Sequence, residues 1–304
     1  MEYNMEQRLI TFKENITMKL ITFIFALLLS GCAVDITTKS FVYQADDVDQ
    51  SLDLGEIQTT LTNAPVHSAL STVSLTSHDF LTLNGIKLIH EDAKVNVVLF
   101  SGNGMTITNA SKILNHFVLL PANVIWFDYR GMGLSAKSDS LTIAQLKTDA
   151  LNVFDFARQS LPKNLPMLTD GISMGSLLAG YVASQRNVDG LVLDGAINSV
   201  PQLVDNLMPT WSKIFSTVTV SPELTAINNS EIIKLTDTPL LLLAGEDDST
   251  TPLLFAQQLY DASPSKNKVL AIIPDTEHAQ PMTKDESISA YKLFIASLSC
   301  CANG

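Results

Sequence analysis

From Val95 to Ile273 the chain repeats one pattern: a short apolar run, a loop, then a stretch with apolar residues three and four apart. Val95-Asn-Val-Val-Leu-Phe100 is apolar almost throughout and stops at a glycine-rich loop, and Asn123-Val-Ile-Trp-Phe-Asp128 repeats the form. Runs that are apolar on both sides of the pleat belong to strands covered on both faces. Met167-Leu168-Thr169, Leu191–Leu193, Leu240–Leu243 and Lys268–Ile273 read as four more strands. Between them, residues 109–119, 142–160 and 284–298 read as helices; in the second, Ile143, Leu146, Ala150, Val153 and Ala157 share one face. Alternation of this kind predicts an α/β domain with a mostly parallel central sheet and helices on both faces. Leu83-Asn84-Gly85-Ile86 puts Asn-Gly between β-prone runs and predicts a hairpin turn there. Residues 197–236 interrupt the alternation and are read as a small cap insertion, an ordinary crossover with a long loop being the alternative.

With 46% hydrophobic and 16% charged residues the chain has ample material for one large core. Its net charge of −12 is the wrong sign for a nucleic-acid binder and also disfavours a surface that recognises anionic lipid. Cys32, Cys300 and Cys301 form no C-x-x-C pair, so a structural zinc site is not expected. Cys300 and Cys301 are adjacent, and a bond between them would be strained; free thiols or a bridge to a second chain are the alternatives.

The beginning of the chain reads as a targeting segment. Leu20–Leu29 is a ten-residue, largely apolar run, too short to span a bilayer but the length of a secretory h-region, and Lys19 stands directly before it. Leu29-Ser30-Gly31-Cys32 follows and resembles the lipobox of bacterial lipoproteins. Residues 1–31 are therefore expected to be a lipoprotein signal peptide, Cys32 the lipidated residue, and Met18 the true start. Ala33 after the cysteine implies, by that resemblance, the periplasmic face of the outer membrane. Acyl chains would anchor the protein at ~0.8 kcal/mol per buried CH₂. Residues 32–70 are read as a tether and covering segment, and 71–304 as the main domain.

Residues that carry chemistry stand at strand ends. Gly171-Ile172-Ser173-Met174-Gly175 lies between a short strand and an apolar helical stretch, the context of a nucleophile elbow. A serine needs a base. His278, just after the last strand, is the histidine downstream of Ser173; His67, His78, His90 and His116 all precede it. The orienting acid is expected at the end of the Leu240 strand, where Glu246, Asp247 and Asp248 stand in a row. Oxyanion donors are expected from the Met174 N–H and from the loop Ser101-Gly102-Asn103-Gly104, with Asn103 best placed.

From about residue 70 onward the chain resembles the α/β-hydrolases, and within them the small-cap serine hydrolases that include monoglyceride lipases and serine aminopeptidases. The resemblance rests on Ser101-Gly-Asn-Gly, Asp128-Tyr-Arg-Gly-Met-Gly-Leu-Ser135, Gly171-Ile-Ser-Met-Gly175, and Gly245…Asp248…Pro252 followed by His278. It implies the α/β-hydrolase fold and a catalytic triad of Ser173, Asp248 and His278, Asp248 being picked by the G-x-x-D-x-x-x-P loop. It implies a structural role for Arg130. Two departures stand out: Ser101 where the family usually has histidine, and Ser176 where a second glycine often follows the elbow. The expected activity is hydrolysis of a small acyl ester, without metal or organic cofactor. Amide or peptide cleavage is the near alternative, and an inactive binding protein on the same fold the distant one.

Overall fold

The computed structural model describes residues 32–45, 52–61 and 68–301. Among these, the strands run β1 (Cys32–Ile36), β2 (Ser68–Thr76), β3 (Thr82–His90), β4 (Val95–Phe100), β5 (Ala122–Phe127), β6 (Met167–Ile172), β7 (Gly190–Asp194), β8 (Ser216–Val220), β9 (Leu240–Gly245) and β10 (Lys268–Ile273). Eight of them form one sheet in the order β10-β9-β7-β6-β4-β5-β3-β2. β2 pairs antiparallel with β3, and β3 antiparallel with β5. The remaining neighbours are parallel. This is the α/β-hydrolase fold. Every residue of β4, β5, β6, β7 and β9 is buried, as the largely apolar runs of β4, β5, β7 and β9 require; β6 buries Thr169 and Asp170 as well.

Helices cover both faces. α1 (Ile143–Ser160), α2 (Met174–Gln185), α3 (Val200–Leu207) and α4 (Leu253–Ala262) share one core with Val98, Ile125 and Leu193. α5 (Asp285–Cys301) and the helical turns over 107–119 pack on the opposite face, around Val97, Leu168 and Val192. α1 starts where Thr142 and Gln145 form a reciprocal capping box. The helix expected over 109–119 is broken into Ile107–Ala110, Ser111–Ile113 and Leu114–Leu119.

Two sequence expectations need correction. Asn84-Gly85 is no turn: both residues lie inside β3. A side chain at Gly85 would come within 2.4 Å of the Trp126 carbonyl on β5, so the glycine serves close strand packing. Asn84 uses its amide to bond the Leu134 carbonyl and accepts from Ser74. The reversal falls instead at residues 77–81, closed by Ser77 N–H to Leu81 O at 2.8 Å, with Phe80 at φ 63°.

The second concerns residues 32–70, expected to be a tether and covering segment: the described part from Cys32 to Val42 packs on the fold. β1 pairs in parallel with β8, from Cys32 opposite Ser216 to Ile36 opposite Val220. Val42 is buried in the main core. The segment escapes sequence patterning because its strand is five residues long and its partner lies 184 positions downstream. The partner strand and α3 both belong to the insertion 197–236, which therefore carries a small two-stranded sheet of its own, half of it supplied by the beginning of the described chain. The expected signal segment 1–31 lies outside the described residues.

Candidate active site

Ser173 sits between β6 and α2 at φ 52°, ψ −116°, a conformation that residues with a side chain rarely adopt. The two flanking glycines make this turn sterically accessible. A Cβ on Gly171 would meet the Gly175 carbonyl at 2.5 Å, and one on Gly175 would meet the Phe100 carbonyl at 1.9 Å. The Ser173 N–H is held by the Asp194 carbonyl of β7 at 2.8 Å. Tight packing between β4, β7 and the first turn of α2 thus aims the hydroxyl out of the sheet's carboxyl end.

His278 reaches it from the loop after β10. Its Nε2 lies 2.8 Å from Ser173 Oγ, and its Nδ1 lies 2.8 Å from Asp248 Oδ2. With Nδ1–H donating to the carboxylate, neutral imidazole leaves Nε2 as acceptor for the serine proton. The three neighbouring acids separate cleanly: Glu246 and Asp247 are exposed, while Asp248 is 4% exposed. Asp248 Oδ1 accepts from the N–H groups of Thr250 and Thr251, and Oδ2 accepts from the Thr251 hydroxyl at 2.7 Å. Burial pushes this carboxyl up, but the bonds from His278 and Thr251 outweigh it, and the net shift is below the ordinary carboxylate value. Asp248 is thereby kept ionised opposite the imidazole.

Met174 is the first residue of α2, so its N–H has no acceptor within the helix. Asn103 stands across the cleft on the loop after β4. Its side chain is engaged elsewhere: Oδ1 accepts from the Tyr43 N–H at 2.8 Å and Nδ2 donates to the Phe41 carbonyl at 2.9 Å. The loop is therefore clamped by the segment that follows β1, an interaction no local sequence signal announces. From below, the Tyr129 hydroxyl donates to the Ser101 carbonyl at 2.8 Å, and the Ser101 hydroxyl to the Met105 carbonyl at 2.9 Å. Ser101 thus replaces a larger side chain with an internal tie.

The second departure, Ser176, is fully buried. Its hydroxyl accepts from the Ile197 N–H at 3.0 Å, and Asn229 bonds its carbonyl at 3.1 Å. This links the elbow helix directly to the root of the insertion. Arg130 is buried and its guanidinium is taken up by carboxylates: it pairs with Asp149 on α1 at 2.6 Å and Asp79 at 2.8 Å. Asp128 ties its own loop by accepting from the N–H groups of Ile107 and Leu134.

Ser173 and His278 open into a cleft of about 470 Å³. Its walls are largely apolar: Met105, Ile197, Leu203, Val204 and Leu207, with Ile36 and Phe41 arriving from the N-terminal segment. Cys32 is the first described residue, at the far end of β1 from the cleft wall formed by Ile36.

Residues 91–234, fewer than half of the 304, match the family described as "Serine aminopeptidase, S33". The match includes Ser173 and Arg130 but ends before Asp248 and His278. A Saccharomyces cerevisiae protein described as an uncharacterized membrane protein is 25% identical over 219 residues, covering 70% of this chain and 75% of that one. Human protein ABHD12B is 28% identical over 176 residues, covering 51% of this chain and 47% of its own length. The chain thus spans about half of that human relative. Among solved structures, a Pyrococcus furiosus esterase superposes with a TM-score of 0.63 at 17% identity, over 82% of this chain and 97% of its own. The carboxylesterase EstE1, cloned from a metagenomic library, gives 0.56 at 16% identity, over 81% and 94%. At these identities the shared property is the fold.

Proposed function

We propose that the protein is a serine hydrolase of carboxylic esters, held at the cell envelope through Cys32. The observation that carries the reading is the pair of 2.8 Å contacts linking Ser173 Oγ, His278 and Asp248, with the serine on a strained turn. Ser173 Oγ attacks the acyl carbonyl while His278 Nε2 takes its proton. The carbonyl oxygen becomes an oxyanion beside the N–H groups of Met174 and Asn103, where fixed donors stabilise it without reorganising. The alkoxide leaves with the proton from His278, and Asp248 stabilises the imidazolium throughout. Water, deprotonated by His278, then releases the acid and regenerates Ser173. An apolar cleft of about 470 Å³ suits a small acyl chain, and the solved neighbours named as esterases support ester over amide.

The serine-aminopeptidase description of the matching family favours a second reading, cleavage of an aminoacyl amide by the same groups. A panel of esters, thioesters and aminoacyl amides separates the two. Reaction with a fluorophosphonate probe tests the shared premise. Ser173→Ala should abolish labelling and lower kcat by roughly 10⁴–10⁶ while the fold stays intact. Activity close to the parent protein's would rule the elbow serine out as nucleophile.

The anchoring half of the proposal rests on Leu29-Ser-Gly-Cys32 after the apolar run. Among the described residues no helix is long and apolar enough to cross a membrane. Cys32→Ser should leave the membrane fraction; identical fractionation of both forms removes the lipid anchor from the proposal.

A further inference from the structure

Between α3 and β8 the insertion presents large apolar side chains to solvent. Trp211 is 72% exposed, Ile214 80%, Phe215 50% and, at the end of α3, Leu207 55%. Single exposed hydrophobics are ordinary on a protein surface, whereas four within nine residues, three of them on Trp211–Phe215, concentrate apolar surface in one segment. The backbone beneath them is fixed. Pro209 O accepts from both the Ser212 N–H and its hydroxyl, at 2.9 and 2.7 Å. Ser212 O in turn accepts from the Phe215 N–H and the Ser216 hydroxyl, at 2.9 and 2.7 Å. A turn tied at both ends holds its apolar groups outward instead of folding them under.

Three observations identify what covers this patch. β1 and β8 are in register with Cys32 opposite Ser216, the residue after Phe215. Cys32 is the residue proposed to carry lipid, so acyl chains on it leave the fold beside Ser216, next to Ile214 and Phe215. The charge at the rim is spent locally, Lys213 pairing with Asp205 at 2.7 Å, and the chain as a whole carries −12. A paired lysine beside the patch and a net negative chain favour a neutral headgroup over an anionic one. Tryptophan with aliphatic neighbours instead suits the boundary between headgroups and acyl chains.

We propose that Trp211, Ile214 and Phe215 form a docking surface that enters a neutral, zwitterionic lipid bilayer on the side where the chain is anchored. Leu207 belongs to both this patch and the wall of the Ser173 cleft. If the hydrolase reading holds, the docked face then shares Leu207 with the wall of the cleft; the docking itself does not depend on that reading.

Tryptophan fluorescence tests it, with no activity measurement needed. The chain has two tryptophans, and Trp126 is fully buried in the sheet core. Trp211 is therefore the environment-sensitive reporter, and Trp211→Phe supplies the background. Full-length protein is bound to phosphatidylcholine vesicles with and without bromine atoms on the acyl chains. The expected result is a blue shift of the Trp211 emission, strong quenching by the brominated lipid, and lost quenching by aqueous iodide. Ile214→Ser combined with Phe215→Ser should restore iodide access on the vesicles. Persistent iodide quenching of the parent protein on vesicles would overturn the proposal. So would protection from iodide without bromine quenching, which would mean that a second copy or residues 20–29 cover the patch.

Discussion

At the scale of single residues, Asp248 is set apart from its two acidic neighbours by burial and by four hydrogen bonds to its carboxylate. Thr250 and Thr251 turn the chain back so that their N–H groups fix Oδ1, leaving Oδ2 for His278 and the Thr251 hydroxyl. Asp248→Asn keeps the volume but offers the imidazole a competing donor, and kcat should fall by roughly 10²–10⁴. Glu246→Gln and Asp247→Asn, both on exposed side chains, should stay within about tenfold, ~1.4 kcal/mol of barrier. Steady-state kinetics of the three variants decide it, and a crippled Asp247→Asn would shift the role by one position. Asn103 makes a different prediction. Its side chain bonds the backbone of Phe41 and Tyr43 and so holds its own N–H in position. Asn103→Ala should lower kcat by about tenfold with little change in KM, since only the transition-state oxyanion feels the displaced donor. An unchanged kcat would mean that the clamp from Phe41 and Tyr43 does not set the position of the Asn103 N–H.

At the scale of elements, the strand-to-helix turn leaves no room for a side chain at either of its glycines. Gly175 lies against the Phe100 carbonyl, backbone on backbone, and no rotamer change relieves an added methyl group. Gly175→Ala should therefore cost about 1–3 kcal/mol of stability or more, and move Ser173 away from His278. Denaturant unfolding read beside fluorophosphonate labelling checks both effects. Loss of labelling at full stability would mean that the turn moved without straining β4. The loop Asp128–Ser135 is stiffened in another way, through side chains. Asp128 accepts two backbone N–H groups, and the Ser135 hydroxyl donates to the Asp128 carbonyl at 2.6 Å.

At the scale of the whole molecule, a buried carboxyl beneath the site links the sheet to its helical layer. Asp170 on β6 receives the Tyr291 hydroxyl of α5 at 3.0 Å. Burial raises its pKa to about 7, an effect the Tyr291 bond only partly opposes. Asp194 on β7 is likewise raised, first by burial and then by the charge of Asp170. Tyr291 is held protonated by burial and by the Asp170 charge. The sign follows from linkage. Between the ordinary value of 3.8 and about 7, the native state keeps a proton on Asp170 that the unfolded chain has lost. Stability therefore falls as pH rises through that window and levels off above it. Asp170→Asn removes this slope, so its stability relative to the parent should rise by a few kcal/mol between about pH 4 and about pH 8. Urea midpoints at both pH values measure it; parallel curves would mean that Asp170 is ionised in the native state throughout.

Local order was legible in the sequence because it is written in neighbouring residues. Unbroken apolar runs mark β4, β5, β9 and the core of β7, and three-and-four spacing marks α1. Gly171-Ile-Ser-Met-Gly175 between a strand and a helix marks the elbow, since only glycine fits where backbone meets backbone. Chain order alone singled out His278 and the acidic loop, and the fold brought both to Ser173. What required the tertiary structure were partners far apart in the chain. The Asn84-Gly85 pair reads as a turn locally, but β5 on one side and Ser74 on the other hold it extended. β1 has no periodicity to show in five residues and exists through β8. Through that pairing the segment read as a tether and covering supplies a wall of the cleft and a clamp on Asn103. Local propensity is set by a few adjacent side chains. Strand pairing across 184 residues is set by which surfaces remain uncovered once the sheet has formed, and only the assembled fold contains that information.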